Sequence, residues 1–262
     1  MPTVEVLLHG ESIATNYGSI GYCSTLLVRG DRNIVVDTGH VGRRRALLEA
    51  LAERSLAPSD IDVAVMTHSH WDHAQNYDVL DSAEVLIHEW ERRYARNPHP
   101  NDWATPLWTS AMLDTIPNLK EVEDGYEIEK GVRMLHTPGH SAGTMALIVD
   151  TSEGPVAITG DGVANAQVAV TKVNANVFWS EEASRRSIER VLEEAEVIYP
   201  GHDRPFRVLR SGGVEHIAAR QLVFMGVDLE DPNVSVTAER RPPYVMPGLD
   251  GQTLERLGLS GE

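Results

Sequence analysis

Residues 68–73 read His68-Ser69-His70-Trp71-Asp72-His73, and no other window restricts the fold of this chain so strongly. Three imidazoles and a carboxylate follow directly on the apolar, strand-like run Asp62-Val63-Ala64-Val65-Met66. Neutral imidazole is the commonest biological metal ligand, and mixed His and Asp donors suit zinc or a similar transition metal. In an extended loop side chains alternate, so His68 and His70 point the same way. A helix beginning just beyond them returns His73 to the same pocket from the opposite side. One loop then feeds two adjacent ions, at a strand end, where α/β proteins place their sites.

Three later segments repeat one grammar: a strand, a tight Gly or Pro turn, then a metal-capable side chain. Leu135-His136-Thr137-Pro138-Gly139-His140 delivers His140, Ile158-Thr159-Gly160-Asp161 delivers Asp161, and Ile198-Tyr199-Pro200-Gly201-His202 delivers His202. A lone His after a strand is more often structural, but three such endings beside the first motif reverse those odds. The candidates total seven: His68, His70, Asp72, His73, His140, Asp161 and His202. Two four- or five-coordinate ions sharing a carboxylate and a water need about this many donors. Asp161 is the natural bridge, because a carboxylate has two oxygens. His68, His70 and His140 would hold the first ion, and Asp72, His73 and His202 the second. The cofactor expected is a pair of divalent metal ions, zinc first, with iron or manganese as alternatives.

The rest of the chain supplies a scaffold of the matching kind. Strands are predicted at Val4–Leu8, Tyr22–Val28, Ile34–Val36, Asp62–Met66, Val85–Ile87, Val132–Leu135, Met145–Val149, Val156–Ile158 and Val197–Tyr199. Helices are predicted over Val41–Arg54, with Ala46, Leu47, Ala50 and Leu51 on one stripe, and over Glu181–Glu194. Ser180 is the expected N-cap of the second, with Ile188, Val191, Leu192 and Ala195 facing inward. This order implies two packed sheets with helices on the outer faces. Asn97 to Pro117 read as irregular, holding Trp103, Trp108 and Met112 among prolines. From Gly212 onward Pro232, Pro242, Pro243 and Pro247 break every period, so residues 212–262 are expected to form an arm on the body or on a partner subunit.

A formal net charge of -16 sets the chain against a phosphate backbone, and generic nucleic-acid binding is not favoured. Arg43-Arg44-Arg45 shares its helix with Glu49 and Glu53 and reads as a solvated face. The single cysteine, Cys23, excludes an intrachain disulfide and reads as a buried, inert thiol. No window approaches the roughly 18 uninterrupted apolar residues of a membrane span. The first eleven residues lack a basic start and a long apolar run, so a cytoplasmic location is expected. The partners expected are a small-molecule substrate, no nucleic acid and no membrane, with a homodimer as one option.

Taken together, the HxHxDH window and the later His, Asp and His resemble the metallo-β-lactamase superfamily over roughly residues 1–210. The resemblance implies a four-layer αββα sandwich over 1–211, with residues 212–262 as a C-terminal extension and a dinuclear metal site at one sheet edge. It also implies that Asp37, in Val35-Val36-Asp37-Thr38-Gly39, lies beneath the site and orients a ligand imidazole. A turn-forming Asp at a strand end fits the same residues equally well.

Activity follows from the same resemblance. Two such ions supply hydroxide at neutral pH without a protein nucleophile, and Asp72 is placed to orient it or shuttle its proton. No G-x-S-x-G occurs, so a covalent serine mechanism has no support. A carboxylate at Asp161 resembles the glyoxalase II and lactonase branches. Yet no Tyr follows shortly after Asp161, as it does in acyl-homoserine lactonases, and the tail lacks an obvious glutathione-binding basic pattern. Pro200 to Arg210 is similar to the ending of animal metallo-β-lactamase-domain-containing proteins. The implied reaction is hydrolysis of a small carboxylic ester, lactone or thioester, with phosphodiester cleavage as the alternative and di-iron redox chemistry third. Trp103, Trp108, Phe178 and Trp179 are the candidates for an apolar substrate pocket, while His40 and His99 are candidates for its mouth.

Overall fold

The computed structural model describes residues 1–223 together with 228, 230, 231 and 235–237, so most of the expected C-terminal arm lies outside the described residues. The chain opens with β1 (Thr3–Leu8), β2 (Glu11–Thr15), β3 (Gly18–Tyr22), β4 (Thr25–Arg29), β5 (Asn33–Val36) and α1 (Arg44–Glu53). It continues through β6 (Val63–Val65), α2 (Trp71–Ala74), β7 (Glu84–His88), α3 (Glu89–Tyr94), α4 (Trp108–Asp114) and β8 (Leu119–Val122). The second half holds β9 (Glu127–Glu129), β10 (Val132–His136), β11 (Met145–Thr151), β12 (Gly154–Gly160) and α5 (Ala166–Thr171). Last come α6 (Glu181–Glu194), β13 (Val197–Pro200), β14 (Phe206–Val208) and β15 (Val214–His216).

Two sheets carry the architecture. The first runs β1-β4-β5-β6-β7-β8, the second β15-β14-β13-β12-β11-β10-β9, and β2-β3 stands apart as a hairpin. Pairing is parallel from β5 through β8 and between β12 and β13, and antiparallel elsewhere. Alternation along each strand sorts the core into three layers. Leu26, Val28, Ile34 and Val36 of the first sheet meet Met134, Leu147 and Val149 of the second in the middle. The intervening Leu27 and Val35 face outward onto Leu47 and Leu51 of α1. On the far side Leu135, Ala146 and Ile148 pack against Val168 of α5 and Ile188 and Val191 of α6. Strands buried on both faces must be apolar throughout, which is why these runs show little polar alternation. The result is helix, sheet, sheet, helix: the αββα order the sequence implied.

Several local expectations change. The strand expected from Tyr22 to Val28 breaks at Cys23 and Ser24, because the Ser24 N–H leaves its sheet to donate to the Gly201 carbonyl (2.6 Å). Asn97–Pro117 is not wholly irregular: α4 forms within it, turning Leu113 and Met112 into the outer core. α3 and α5 were also not predicted. Arg43 does not lie on a solvated face; its guanidinium donates to the carbonyls of Cys23 (2.6 Å) and His9 (3.1 Å) and lies over the Tyr22 ring. The α6 cap is as expected, with the Ser180 hydroxyl accepting from the Ala183 N–H at 3.2 Å. No helix among the described residues is long and apolar enough to cross a membrane.

Candidate metal centre

The C-terminal ends of β5, β6, β12 and β13 open on one sheet edge, and the seven candidates gather there. β6 runs out through Thr67 into the motif loop. The backbone at His70 is extended (φ -61, ψ 145) and α2 begins one residue later. His68 and His70 therefore leave from an extended segment, while Asp72 and His73 leave from the first helical turn. After β12, Gly160 adopts φ +48, and a Cβ there would fall 2.4 Å from Thr67 Oγ1. Glycine is required at this turn, and it aims Asp161 at the motif loop. His68 and His73 are fully buried and the other members nearly so; His202, after β13, is half-buried.

Hydrogen bonds fix which nitrogen of each imidazole faces the centre. His140 Nδ1 lies 2.6 Å from the Asn176 carbonyl and His202 Nδ1 lies 3.2 Å from the Tyr22 carbonyl. Carbonyls only accept, so both Nδ1 atoms are protonated and Nε2 carries the lone pair in the neutral ring. His73 Nδ1 donates to Asp37 Oδ2 at 2.7 Å. The Thr67 hydroxyl donates to the same Asp37 oxygen (2.8 Å) and so accepts from His68 Nδ1 (3.1 Å). His70 is reversed: its Nε2 donates to Asp102 Oδ2 at 3.2 Å, leaving Nδ1 inward.

In the neutral rings every inward nitrogen is a lone pair aimed at other lone pairs. His140 Nε2 stands 3.0 Å from His70 Nδ1, and His73 Nε2 stands 3.4 Å from His202 Nε2. Asp161 adds one oxygen 3.5 Å from His140 Nε2 and another 3.3 Å from His202 Nε2 and 3.5 Å from His73 Nε2. Asp72 Oδ2 lies 3.3 Å from His202 Nε2. His68 Nε2 and Asp161 Oδ1 are buried without a hydrogen-bond partner, which is costly for polar atoms. Only positive charge reconciles such an array. Within it, donor atoms of His68, His70, His140 and Asp161 lie within 4.8 Å of one another, as do those of Asp72, His73 and His202. The donors fit two divalent ions, with Asp161 placed between the groups.

Electrostatics agree with that geometry. Burial opposes charge on Asp161, but His202 and His73 hold its carboxyl well below the usual range. Burial likewise opposes charge on His73, yet the carboxylates of Asp37, Asp161 and Asp72 lift it well above its ordinary value. Burial, with His70 beside it, pushes His140 down to about 4. Protons can fill part of the cationic role in this array, and a metal taking their place would displace them.

Asp37 sits at the end of β5 with φ 55, a left-handed conformation that Asp tolerates better than most residues. Its Oδ1 accepts from the Thr67 N–H at 2.9 Å while Oδ2 holds His73, so it is both a turn residue and an imidazole partner. Cys23 is fully buried beside Asp37 and His73, and burial pushes its thiol up to about 12. Of the four aromatic candidates, Phe178 touches the inward rings, with its centroid 5.4 Å from His70 and 5.6 Å from His140. Trp179 packs edge-on against Tyr94, and Trp103 and Trp108 stand largely in solvent. His40 sits between the Tyr22 and Trp71 rings. The His99 N–H lies 3.3 Å from the Tyr94 hydroxyl, and His136 stacks on His88 with ring centroids 3.8 Å apart.

Two buried acids at the centre escaped the sequence reading. Glu91 of α3 accepts from the Ser69 N–H (2.8 Å) and hydroxyl (2.6 Å) through one oxygen. Its other oxygen accepts from the Ser141 hydroxyl (2.5 Å) and the Gly143 N–H (3.0 Å). One carboxylate thereby pins the loops carrying His68, His70 and His140. Asp102 is the second. Neither stands in a pattern that single-sequence reasoning recognises.

Comparison with known proteins fits this geometry. The model of the metallo-beta-lactamase superfamily matches residues 19–202, which include all seven donors. The metallo-beta-lactamase domain-containing protein 1 of Mus musculus is 34% identical over 193 residues, covering 70% of this chain and 63% of that protein. An N-acyl homoserine lactonase from Bacillus sp is 30% identical over 152 residues, covering 56% of this chain and 57% of the lactonase. The chain therefore spans less than two thirds of either relative. Among solved structures, AidC, a dizinc quorum-quenching lactonase in complex with a product, superposes with a TM-score of 0.61. That match has 17% identity and covers 79% of this chain and 82% of AidC, a likeness of fold.

Proposed function

The chain belongs to the metallo-beta-lactamase superfamily, and from that premise we propose that it is a dinuclear metal-dependent hydrolase of a small carboxylic ester, lactone or thioester. The observation that carries the proposal is the inward array of five imidazole lone pairs and two carboxylates, each imidazole held from behind by a hydrogen bond. The donors are nitrogen and oxygen without thiolate, a set suited to zinc, iron or manganese.

Two divalent ions held by these donors would supply Lewis acidity toward an acyl oxygen and lower the pKa of a bound water toward neutrality. The side chains supply the rest. Asp161 offers one oxygen toward His140 and the other toward His73 and His202, so it spaces the two positions. Asp72 reaches only the His202 and His73 side of the array, and Gly21 of β3 leaves open the volume over its Oδ2. That carboxylate is the group to take a proton from the attacking water and return it to the leaving group. Phe178 walls the His70 and His140 side and keeps water from those rings. The lactonase relative supports a lactone as substrate.

A hydrolysis panel on metal-loaded protein tests the proposal. Lactones, thioesters and aryl esters are run against a bis-aryl phosphodiester, with His68→Ala beside the wild type. Acyl-substrate turnover that disappears in the variant is the expected result. Turnover of the phosphodiester alone would overturn it.

A further inference from the structure

The segment between α3 and α4 makes one contact to the array that neither the comparisons nor the proposed hydrolysis assigns. The Asp102 side chain is fully buried. Its Oδ1 accepts from the backbone N–H groups of Ala104 (2.9 Å) and Thr105 (3.0 Å). Its Oδ2 accepts from the Tyr94 hydroxyl (2.8 Å), the Thr105 hydroxyl (2.8 Å) and His70 Nε2 (3.2 Å). The same segment is fastened to the motif a second time, because the Ala104 carbonyl accepts from the Trp71 N–H at 3.0 Å.

His70 is the one imidazole of the five that presents Nδ1, and its presentation needs a cause. The χ2 torsion of histidine is broad and roughly two-fold, so packing alone leaves a ring free to exchange its edges. For His68, His73, His140 and His202 the hold comes from Nδ1, which sits near the backbone. For His70 the hold must reach the far nitrogen, and that takes a group from outside the motif. Asp102 is that group, and four other donors fix its own orientation.

We propose that Asp102 is the positioning residue of His70: by accepting the Nε2–H it selects the tautomer and ring orientation whose Nδ1 lone pair faces His140. This rests on the metal-centre reading above. A carboxylate behind a ligating imidazole fixes its tautomer and raises its basicity, and losing it costs 10- to 100-fold in metal affinity. The loss should fall on one ion. His70 belongs with His68, His140 and Asp161, while Asp72, His73 and His202 form the other group.

The test is a stepwise metal titration of the full chain against a chromophoric chelator, comparing wild type, Asp102→Ala and Thr105→Val. Nitrogen-15 imidazole spectra and thermal unfolding of the apo-proteins run alongside. Asp102→Ala should weaken one of the two binding steps by about 10- to 100-fold and leave the other at its wild-type value. Thr105→Val, which removes a bond to the same oxygen but keeps the carboxylate, should bind both ions nearly as wild type does. The wild-type apo-protein should show His70 protonated at Nε2. A His70 protonated at Nδ1 there would overturn the assignment without any variant. So would equal loss at both steps, or equal loss in Thr105→Val, since either marks a folding effect. If wild type takes up no pair of ions, the metal-centre reading fails as well. If it takes up two and Asp102→Ala superimposes on it, only the role of Asp102 fails.

Discussion

The donors of the two groups are enclosed differently. His70 and His140 lie behind Phe178, and the outer nitrogens of His68, His70 and His140 are bonded to Thr67, Asp102 and the Asn176 carbonyl. Glu91 ties their two loops together from behind. On the other side, Asp72 and His202 keep 9% and 12% of their side-chain surface in solvent. The outer partner of His202 is the Tyr22 carbonyl, at the root of the β2-β3 hairpin, and Gly21 of that hairpin passes directly over Asp72. One half is a sealed electrostatic anchor. The other keeps a narrow opening to solvent, and in the proposed hydrolysis protons and leaving groups would pass beside Asp72.

Removing a donor breaks this comparison outright. Asp161→Ala deletes the carboxylate common to both halves and should lower metal content below the wild-type ratio, with activity falling more than ~100-fold. An unchanged ratio, read by metal analysis of dialysed protein, would show that Asp161 is not shared. His202→Ala is the sharper cut. It should empty the open half and spare the sealed one, leaving about one ion per chain in place of two; loss of both would mean the halves are not separable.

Gly21→Ala probes the open half without replacing a donor. An added Cβ would sit 2.6 Å from Asp72 Oδ2, so the hairpin or the carboxylate must move. Displacements near 1 Å cost on the order of 10²-fold in rate, and kcat should fall on that scale. Normal kcat would show that the hairpin yields freely.

The smallest effect lies behind the sealed half. His88 caps α3, the helix that carries Glu91, and accepts from the Trp90 N–H. Burial, with His136 stacked on it, lowers His88 to about 4. The unfolded chain then binds the extra proton first, so stability falls as pH drops from about 6.5 to about 4 and is fully present above that window. His88→Asn keeps an acceptor for the cap and should flatten this limb of the Tm-against-pH curve. An unaltered slope would assign acid sensitivity elsewhere.

How much of this was legible beforehand depended on the kind of signal each residue carried. Four donors follow one apolar strand directly and three follow a strand and a Gly or Pro turn, so chemistry and position spoke together. The layered core followed from strands with no polar face. Glu91 was hidden because Glu89-Trp90-Glu91-Arg92-Arg93 looks like a solvated helix turn. Its burial depends on Ser141 and Gly143, fifty residues on, arriving at the same place. Asp102 likewise looks like a turn residue in Asn101-Asp102-Trp103, and only the tertiary register brings it to His70. α3, α4 and α5 span six or seven residues each, too short for a helical period to show. Trp108 drew notice as an aromatic, but α4 is oriented by Leu113 and Met112, which leaves that ring outside.

The chain has one cysteine and therefore no covalent tie between distant segments. The donors that meet at the sheet edge come from as far apart as His68 and His202, with His140 and Asp161 between. An ion pair held there joins four strand ends drawn from both sheets, closing the long loops that a disulfide would otherwise close. Chelation should then act as reduction does in a disulfide protein, loosening the sheet edge before the layered core and exposing the motif loop to proteases first. In the proposed metal-loaded protein, the ions would be the cross-link.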